Sequence, residues 1–338
     1  AIGSYSGYDS QGQNAIAVGL QSAYTNQGNS AIAIGYQSGY ENQGETAISI
    51  GIDSGVFNQN VDAIAIGNSA GKNAQGTNSI SIGINSGNDN QGIACVAIGN
   101  EAGRTNQGTY AIAIGILAGA STQGQKAVAI GEESGALNQG TLSVAIGSSS
   151  GSEYQGELAV AVGVNCGYFT QGSSAVAIGS YAGEKTQGTG SIAIGCEAAR
   201  YGQGENSIAI GNQAGFSDQS QNTIVISATG SQVTGAIANA TYIAPIRNSY
   251  NNQLLQYDTL TNEITYQTNY FDLSGNLDLS CNVIQDVSGI YFCDGTYIGN
   301  GSSFDISANQ VLVLSGKQNS VGNYDGASIV TKDRVYQH

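Results

Sequence analysis

Residues capable of acid–base or nucleophilic chemistry are few in this chain, and they are not grouped. The only histidine is His338, the last residue, so the sequence offers no histidine general base and no histidine-based metal site. The carboxylates Glu101, Glu132, Glu133 and Glu153 fall in turn-like segments and form no recurring pair. We therefore predict a protein that is not an enzyme and that binds no cofactor or metal ion.

Composition and charge argue against several classes of partner. The 338 residues include 50 glycines, one proline, no methionine and no tryptophan, and the formal net charge is −15. A surface this negative repels phosphate backbones and anionic lipid headgroups, so we expect no nucleic-acid binding and no docking on membranes. No run reaches the roughly 18 continuous apolar residues of a membrane span, and we expect no direct membrane insertion.

A sixteen-residue repeat organises the first two thirds of the chain. The motif Ala-Ile-Ala-Ile-Gly, or a close variant, ends at fourteen glycines from Gly3 to Gly211 in steps of sixteen residues, without insertion or deletion. Ordinary loops tolerate insertions, so their absence indicates that every copy lies in register with its neighbours. The repeat predicts an all-β fold, a parallel β-solenoid of sixteen-residue coils.

Each motif has the pattern of a short strand with two unlike faces. The residue before the motif glycine and the residue two positions earlier are Ile or Val, as in Ile34 and Ile32, and the residue between them is Ala or Ser, as in Ala33. Side chains alternate across a strand, so one face carries the large residues and the other the small ones. We expect stacked Ile/Val columns to fill the interior of a rod about 65–70 Å long.

Two turn signals follow each strand. A small residue and a glycine come three and four positions after the motif glycine, and a Gln-Gly pair follows in most coils. Glycine permits positive φ values and close backbone approach at a corner. Stacked glutamine amides can donate to one neighbouring coil and accept from the other, as in cross-β ladders. The predicted ladder positions are Gln11, Gln27, Gln43, Gln75, Gln91 and Gln107, and the glycines given a structural role include Gly19, Gly35 and Gly51.

The repeat resembles the head repeat of the YadA-like trimeric autotransporter adhesins. The resemblance rests on Ser-Val-Ala-Ile-Gly at 143–147, Ala-Val-Ala-Ile-Gly at 175–179 and Asn-Ser-Ile-Ala-Ile-Gly at 206–211, and it covers about residues 1–228. In that family such repeats wind a left-handed parallel β-roll, and three rolls pack into one head. The resemblance thus implies a left-handed β-roll and a homotrimer. The uniform sixteen-residue coil with its Gln-Gly corner departs from the family, and no membrane-barrel anchor is recognisable in this sequence.

The small column of each strand is a candidate contact between chains. A half-exposed strand usually alternates apolar and polar residues, whereas here large apolar residues alternate with small ones. An exposed Ala/Ser stripe would be flat and nearly uncharged, so burial against partner chains is one interpretation. The other is that the small column lines a narrow interior. The candidates for the trimer interface are Ala17, Ala33, Ala65 and Ala97.

An aromatic stripe is the surface feature that most suggests ligand binding. Five residues after the motif glycine, the first three coils carry Tyr8, Tyr24 and Tyr40, followed by Val56. In register these rings would stack near one end of the rod. Amphipathic aromatic side chains are common where sugars or proteins bind, but stacking that stabilises an exposed corner explains the stripe as well.

The chain divides into three predicted segments. Residues 1–228 form the β-roll of about fourteen coils, residues 229–270 form a connector, and residues 271–338 form a second β-rich fibre or collar segment. Within the connector, the apolar runs at 254–257 and 263–266 read as the arms of a β-hairpin.

Two stretches of the C-terminal third resemble fibre proteins. Tyr-Ile-Ala-Pro-Ile-Arg-Asn at 242–248 is similar to a connector in the fibres of large DNA viruses and tailed phages, where it follows comparable repeat heads. Gly-Asn-Leu-Asp-Leu-Ser at 275–280 looks like trimeric tail-fibre β-structure. These resemblances imply a virion or phage fibre.

The cysteines do not form a disulfide framework. There are five, an odd number, which does not fit a set of paired bridges. Cys95, Cys166 and Cys196 occupy different columns of the repeat, and we interpret them as small apolar fillers. Cys281 and Cys293 could meet across a hairpin, and the sequence leaves their pairing open.

Together these features favour a homotrimeric attachment or decoration fibre at an extracellular, virion or cell surface. Its predicted partners are its own copies, with binding to a host-surface glycan or protein left open. The alternative is the head of a bacterial trimeric autotransporter adhesin that binds host matrix or glycan. An ice-binding solenoid would need a flat threonine column, and a polysaccharide-degrading one an acidic cluster in a groove; neither pattern is found in the sequence.

Overall fold

The computed structural model confirms the predicted all-β solenoid. It describes residues 1–246 and 253–268, together with the strand residues 289–291, 297–299, 329–331 and 334–336. All the regular secondary-structure elements in these residues are β-strands. The chain forms two compact units, Ala1–Asn248 and Ser249–His338.

The first unit is built on a long parallel sheet of fifteen strands. The motifs form fourteen of its strands, and each of these pairs with the motif strand sixteen residues away, so that Ile112 lies opposite Val128 and Ile114 opposite Ile130. The fifteenth strand is not a motif and pairs with the last motif strand at a spacing of seventeen residues. β-Branched residues suit this pleated surface. Numbered in chain order, the strands of the long sheet are β2 (Ile16–Val18), β4 (Ile32–Ile34), β6 (Ile48–Ile50), β7 (Ile64–Ile66), β9 (Ile80–Ile82), β11 (Val96–Ile98), β13 (Ile112–Ile114), β15 (Val128–Ile130), β17 (Val144–Ile146), β19 (Val160–Val162), β21 (Val176–Ile178), β23 (Ile192–Ile194), β25 (Ile208–Ile210), β27 (Ile224–Ser227) and β28 (Thr241–Ala244).

A second set of strands runs along another side of the coils and ends at the corner glutamines. These strands are also parallel, with Gln91 opposite Gln107. They divide into a sheet of three and a sheet of ten. The interruption falls in the coil where Asn60 replaces the corner glycine, and there Phe57 makes only isolated bridges to the coils on either side. The strands are β1 (Asp9–Gln11), β3 (Thr25–Gln27), β5 (Glu41–Gln43), β8 (Asn73–Gln75), β10 (Asp89–Gln91), β12 (Thr105–Gln107), β14 (Ser121–Gln123), β16 (Leu137–Gln139), β18 (Glu153–Gln155), β20 (Phe169–Gln171), β22 (Lys185–Gln187), β24 (Tyr201–Gln203) and β26 (Ser217–Gln219).

The coil turns at positions with positive φ. In the coil that begins at Gly35, these are Gly35, Gln37, Gly39, Asn42 and Thr46, with φ of 133°, 50°, 54°, 56° and 57°. Such conformations are unfavourable for residues other than glycine, and asparagine tolerates them better than most. The backbone amides of these residues donate to carbonyls of adjacent coils, and this hydrogen bonding offsets the strain.

The interior of the roll is lined by small residues, so the expectation that Ile/Val columns fill it was wrong. Ala113 and Ala129 belong to a buried cluster with no exposed surface, whereas the neighbouring Ile114 and Ile130 are each 37% exposed. Strands of three residues joined by tight corners enclose a space too narrow for two layers of isoleucine. Alanine, serine and the corner glutamines fill that space instead.

The candidate interface alanines are corrected by the same finding. Because each is already fully buried inside the coil that carries it, none can contact a partner chain. Of the two interpretations left open by the sequence, the narrow interior lined by small residues is the one observed. The four residues are Ala17, Ala33, Ala65 and Ala97, each with 0% exposed surface.

The segment after the repeat covers the C-terminal end of the roll. Strand β28 pairs in parallel with β27, placing Ile243 opposite Ile226. Val233 and Tyr242 pack against the buried cluster that contains Val225. Residues 229–246, which the sequence assigned to a separate connector, therefore extend the compact unit of the roll.

The second unit contains three antiparallel hairpins among the described residues. In the first, Leu255 lies opposite Tyr266, and the side chain of Asp258 accepts a 2.7 Å hydrogen bond from the Leu260 amide in the turn. The stretch at 275–280, Cys281 and Cys293 lie outside the described residues. The hairpin strands are β29 (Gln253–Tyr257), β30 (Ile264–Thr268), β31 (Gly289–Tyr291), β32 (Tyr297–Gly299), β33 (Ile329–Thr331) and β34 (Arg334–Tyr336).

Candidate functional site

The outward face of the long sheet is a continuous apolar surface. We define the Ile/Val face by two residues of each strand of the long sheet from β2 to β27. These are the first residue of the strand and the residue two positions later. In the second of these columns, the isoleucines from Ile34 to Ile226 are 36–41% exposed. The first column is mostly half-buried. Large apolar side chains thus face solvent along the whole roll.

The Ile/Val face carries no charged residue, although the chain is strongly acidic. The ion pairs of the roll lie elsewhere on the coil: Lys72 pairs with Asp53 at 3.3 Å, and Arg104 pairs with Glu101 at 2.6 Å. Large uncharged apolar patches mark contact surfaces on proteins. This face is therefore the strongest candidate for a functional surface.

A ladder of buried glutamine amides runs inside the roll. Nε2 of Gln107 donates to Oε1 of Gln123 at 3.1 Å and to the Val96 carbonyl of its own coil at 2.9 Å. Each ladder amide thereby ties two coils together and also saturates a backbone carbonyl. Of the predicted positions, those that donate directly to the next glutamine are Gln27, Gln43, Gln91 and Gln107. Gln75 accepts from Gln59 at 3.1 Å and donates to the Ile64 carbonyl and to Oγ of Ser81.

The first predicted ladder residue does not take part, which corrects the expectation for Gln11. Its side chain is exposed, and Nε2 donates to the Ala15 carbonyl at 3.3 Å instead of reaching the next glutamine. Oε1 of Gln27 is consequently buried without a partner. The ladder observed in this chain therefore begins at Gln27.

The motif glycines are required by close contact between coils. Gly19, Gly35 and Gly51 have φ of 130°, 133° and 131°. A Cβ atom built on Gly19 would lie 2.4 Å from the carbonyl oxygen of Gly35, and one on Gly35 would lie 2.3 Å from that of Gly51. Both the conformation and the space exclude a side chain at these positions.

The tyrosine stripe forms an ordered stack at the N-terminal end. The rings of Tyr8 and Tyr24 are 5.1 Å apart, and those of Tyr24 and Tyr40 are 5.0 Å apart, both with an interplanar angle of 8°. Tyr5 and Phe57 meet the ends of the stack edge-on. Desolvation and the neighbouring phenols raise the pKa of Tyr24. The inner ring faces are used by one another, so a ligand would find mainly ring edges and hydroxyls.

A cluster around Arg200 near the other end of the roll was missed by the sequence analysis. The guanidinium donates to Glu184 at 2.5 Å and to Glu197 at 2.6 Å, and lies 4.6 and 4.9 Å from the ring centroids of Tyr181 and Tyr201. The hydrogen bond to Glu184 raises the pKa of Arg200. The sixteen-residue spacing between Glu184 and Arg200 was the available signal. Because both acids and both rings are engaged by one cation, the cluster joins two adjacent coils and offers no open site.

Two of the three thiols of the roll are buried and not poised for chemistry. Burial raises the pKa of Cys166 to about 12 and also raises that of Cys95, so both stay protonated near neutral pH. Cys196 is exposed. Among the described residues, no group of His, Cys, Asp and Glu is large enough to hold a metal ion.

Comparison with known proteins adds no relative. No family model, no curated protein and no solved structure matches this chain. Within the part of the chain that the structure describes, no helix has the length and apolar character needed to cross a membrane. The resemblance to adhesin heads and viral fibres therefore rests on the sequence motifs.

Proposed function

We propose that this chain is a structural, non-enzymatic fibre protein whose copies associate through the Ile/Val face into a homotrimer. The observation that supports this proposal is the continuous solvent exposure of that face in a single chain, 36–41% for the isoleucines of its second column. Burial of apolar surface favours association. The absence of charge on the face favours an equally uncharged partner, and a second copy of the chain provides one.

The size of the face suits a stable contact. The fourteen strands of the long sheet that carry the face, spaced by about 4.8 Å, give a length of about 62 Å, and two outward columns give a width of about 10 Å. The resulting area of about 620 Å² lies at the upper limit of the largest apolar patches of most monomers, about 300–600 Å². It is about three quarters of the roughly 800 Å² that each partner contributes to a standard interface.

The number of copies and the location rest on resemblance. The repeat resembles trimeric adhesin heads, and residues 242–248 and 275–280 resemble virion and phage fibres. On this basis the protein is a rigid attachment or decoration fibre at an extracellular, virion or cell surface, with a host glycan or protein as receptor. The bacterial adhesin head is the alternative, and the stack of Tyr8, Tyr24 and Tyr40 would be its candidate binding surface.

Measurement of mass in solution tests the proposal. A trimer of the 34.3 kDa chain should give 102.9 kDa by light scattering. The variant Ile114→Glu/Ile130→Glu, which places two carboxylates on the Ile/Val face, should give 34.3 kDa while keeping its β-sheet circular dichroism. Because both side chains are exposed in the single chain, the substitutions do not disturb the interior.

The matched control places the same charges in the same coils but off the face. Thr122→Glu/Asn138→Glu changes two exposed residues on the other side of the roll and should leave the mass at 102.9 kDa. A wild-type chain that stays at 34.3 kDa at high concentration would rule out the proposed assembly. Binding of the wild type to an array of host glycans and matrix proteins, compared with Tyr8→Ala, separates an adhesin from a fibre without a receptor on this stack.

A further inference from the structure

The rows of side chains that cross the Ile/Val face continue past it on both sides. In each coil, the row begins two residues before the strand and ends at the residue after the motif glycine. We call these two positions the leading edge and the trailing edge. In the coil of β13 they are Tyr110 and Ile116, which are 57% and 52% exposed.

In three coils the two edges match each other in chemistry. The pair at β13, Tyr110 and Ile116, is apolar on both edges. The next coil carries opposite charges, Lys126 on the leading edge and Glu132 on the trailing edge, and both side chains are exposed. Two coils further on, at β19, the row is apolar at both ends again, with Leu158 and Val164 exposed by 52% and 47%.

Contacts within one chain do not account for this matching. Lys126 and Glu132 lie at opposite ends of their row, up to about 20 Å apart for six residues of extended chain. Val128 and Ile130 lie between them. Neither charged residue forms an ion pair in the described part of the chain, where the four pairs found involve other residues.

A cyclic assembly does account for it. When copies are related by rotation about an axis parallel to the stack, the leading edge of one copy meets the trailing edge of the next at the same height. We infer that copies of this chain pack in parallel with no axial offset, so that Tyr110 contacts Ile116 of the partner subunit, Lys126 pairs with Glu132 of the partner subunit, and Leu158 contacts Val164 of the partner subunit. This inference rests on the proposed trimer and specifies its register.

Shifting the register by one coil in either direction destroys the match. One shift places Tyr110 beside Glu132, and the other places Lys126 beside Ile116. Both shifts leave a charge against an apolar side chain, where it loses hydration without gaining a partner. An antiparallel two-fold pairing would bring different coils together and would give no reason for matching within a coil.

The apolar and the oppositely charged edge pairs that can fix a register lie in the middle of the roll. In four earlier coils the trailing edge is apolar and the leading edge is polar, so these coils do not contribute to the register. The four pairs, leading edge first, are Asn14 and Leu20, Ser30 and Tyr36, Thr46 and Ile52, and Asn78 and Ile84. Within the middle of the roll the coil of β17 is also unmatched, with the exposed Leu142 on the leading edge and Ser148 on the trailing edge. The register is therefore set by the coils of β13, β15 and β19.

Disulfide trapping across the edges tests the inference. In a full chain with Cys196→Ala, Cys281→Ser and Cys293→Ser, the pair Tyr110→Cys/Ile116→Cys should oxidise to a covalent trimer on non-reducing gels. The two positions are too distant to pair within one chain. A disulfide needs Cα atoms about 4.4–6.8 Å apart, so it reports register to within one coil.

The matched control is Tyr110→Cys/Ile84→Cys, which uses the same two edges but is offset by two coils, about 9.6 Å. It should remain unlinked under the same oxidation. A trimer by mass that is linked by this offset pair, and not by the matched pair, would overturn the register while leaving the proposed function intact. A monomer or dimer by mass would overturn both.

Charge exchange provides a second, independent test. Lys126→Glu and Glu132→Lys should each weaken association by about two- to fivefold per interface, as exposed ion pairs do. The double variant Lys126→Glu/Glu132→Lys should recover wild-type association, because the charges are exchanged between the edges. A double variant that is weaker than either single variant would contradict the contact between Lys126 and the partner's Glu132.

Discussion

Oγ of Ser81 donates a 2.9 Å hydrogen bond to Oε1 of Gln91, and it also accepts from Nε2 of Gln75 at 3.3 Å. The hydroxyl thus bridges Gln75 and Gln91. At other steps of the ladder, neighbouring glutamines are hydrogen-bonded directly, as Gln59 and Gln75 are at 3.1 Å. The ladder therefore continues when a hydroxyl bridges two amides. What it requires is a polar atom at every step, because a buried amide or hydroxyl left without a partner is costly.

Removal of one ladder amide should destabilise the roll. Gln123→Leu leaves the Ile112 carbonyl and Oε1 of Gln139 without their 2.8 and 3.0 Å donors, and unsatisfied buried acceptors cost about 1–3 kcal/mol each. We expect the free energy of unfolding in a urea titration to fall by about 2–4 kcal/mol. Gln11→Leu, at the exposed position outside the ladder, is the control and should change it by less than about 1 kcal/mol. Equal losses in both variants would contradict the ladder.

Replacing a motif glycine with alanine should destabilise the roll strongly, although the substitution adds only one methyl group. Gly115 has φ of 131°, and a Cβ there would lie 2.5 Å from the Gly131 carbonyl oxygen. Gly115→Ala should lower the free energy of unfolding by about 2–4 kcal/mol because it combines a strained conformation with a backbone clash.

The matched control is a glycine with positive φ but free space. At Gly202, with φ of 81°, the nearest atom to an added Cβ is 3.4 Å away, in the side chain of Asp218. Gly202→Ala should therefore lose only about 1–2 kcal/mol, the cost of the conformation alone. If both variants unfold at the same urea concentration, contact between coils is not what selects glycine at the motif position.

The assignment of the two strand faces can be tested at adjacent residues. Ala113 is fully buried among other alanines and Ile114 is 37% exposed. Ala113→Leu should lower the free energy of unfolding by about 2–4 kcal/mol, because overpacked interiors force backbone shifts. Ile114→Leu should change it by less than about 1.5 kcal/mol. If alanine were the outward residue, as one interpretation of the sequence had it, the larger loss would come from Ile114→Leu.

The buried thiol of Cys166 should make the roll less stable in alkali. Burial raises the pKa of the folded-state thiol from 9.0 to about 12. Between these two values the unfolded chain loses the proton while the folded chain keeps it, so the folded state binds more protons and stability falls as pH rises. The contribution is complete below pH 9 and is lost progressively up to about pH 12.

Cys166→Ala should remove this component, since alanine already occupies the same column at Ala182 and Ala198. The measurement is the urea midpoint at pH 8 and pH 10.5 for the wild type and the variant. We expect the decrease between the two pH values to be smaller in Cys166→Ala. Cys196→Ala, which removes an exposed thiol, controls for the loss of a thiol as such. A decrease of the same size in the wild type and in Cys166→Ala would contradict the prediction.

The architecture was predictable from the sequence because the sixteen-residue period fixes which residues of neighbouring coils lie opposite each other. An unbroken step of sixteen residues places Ile112 opposite Val128 and Gln107 opposite Gln123, and both pairings are observed. Glycine at fixed intervals located the corners. A repeat without insertions leaves few other ways to stack the chain, so pairing follows from counting.

The direction of the side chains was not predictable from hydrophobicity. Isoleucine is more often buried than alanine in ordinary proteins, and that preference pointed Ile114 inward and Ala113 outward. The width of the coil decides the matter instead, and it depends on backbone conformations such as the positive φ of Leu117 and Lys126. Nothing about a leucine or a lysine marks a left-handed turn. The Arg200 cluster was missed for a related reason, since its members become neighbours only after the coils are stacked.

The constant length of every coil has a consequence for how such a chain can change in length. A loss or duplication of sixteen residues joins glutamine to glutamine and motif glycine to motif glycine, whichever coil is affected, and alters the rod by about 4.8 Å. A change of any other size displaces all the columns that follow. Unequal recombination in genes for this architecture can therefore lengthen or shorten the protein by whole coils without disturbing the pairing between the coils that remain.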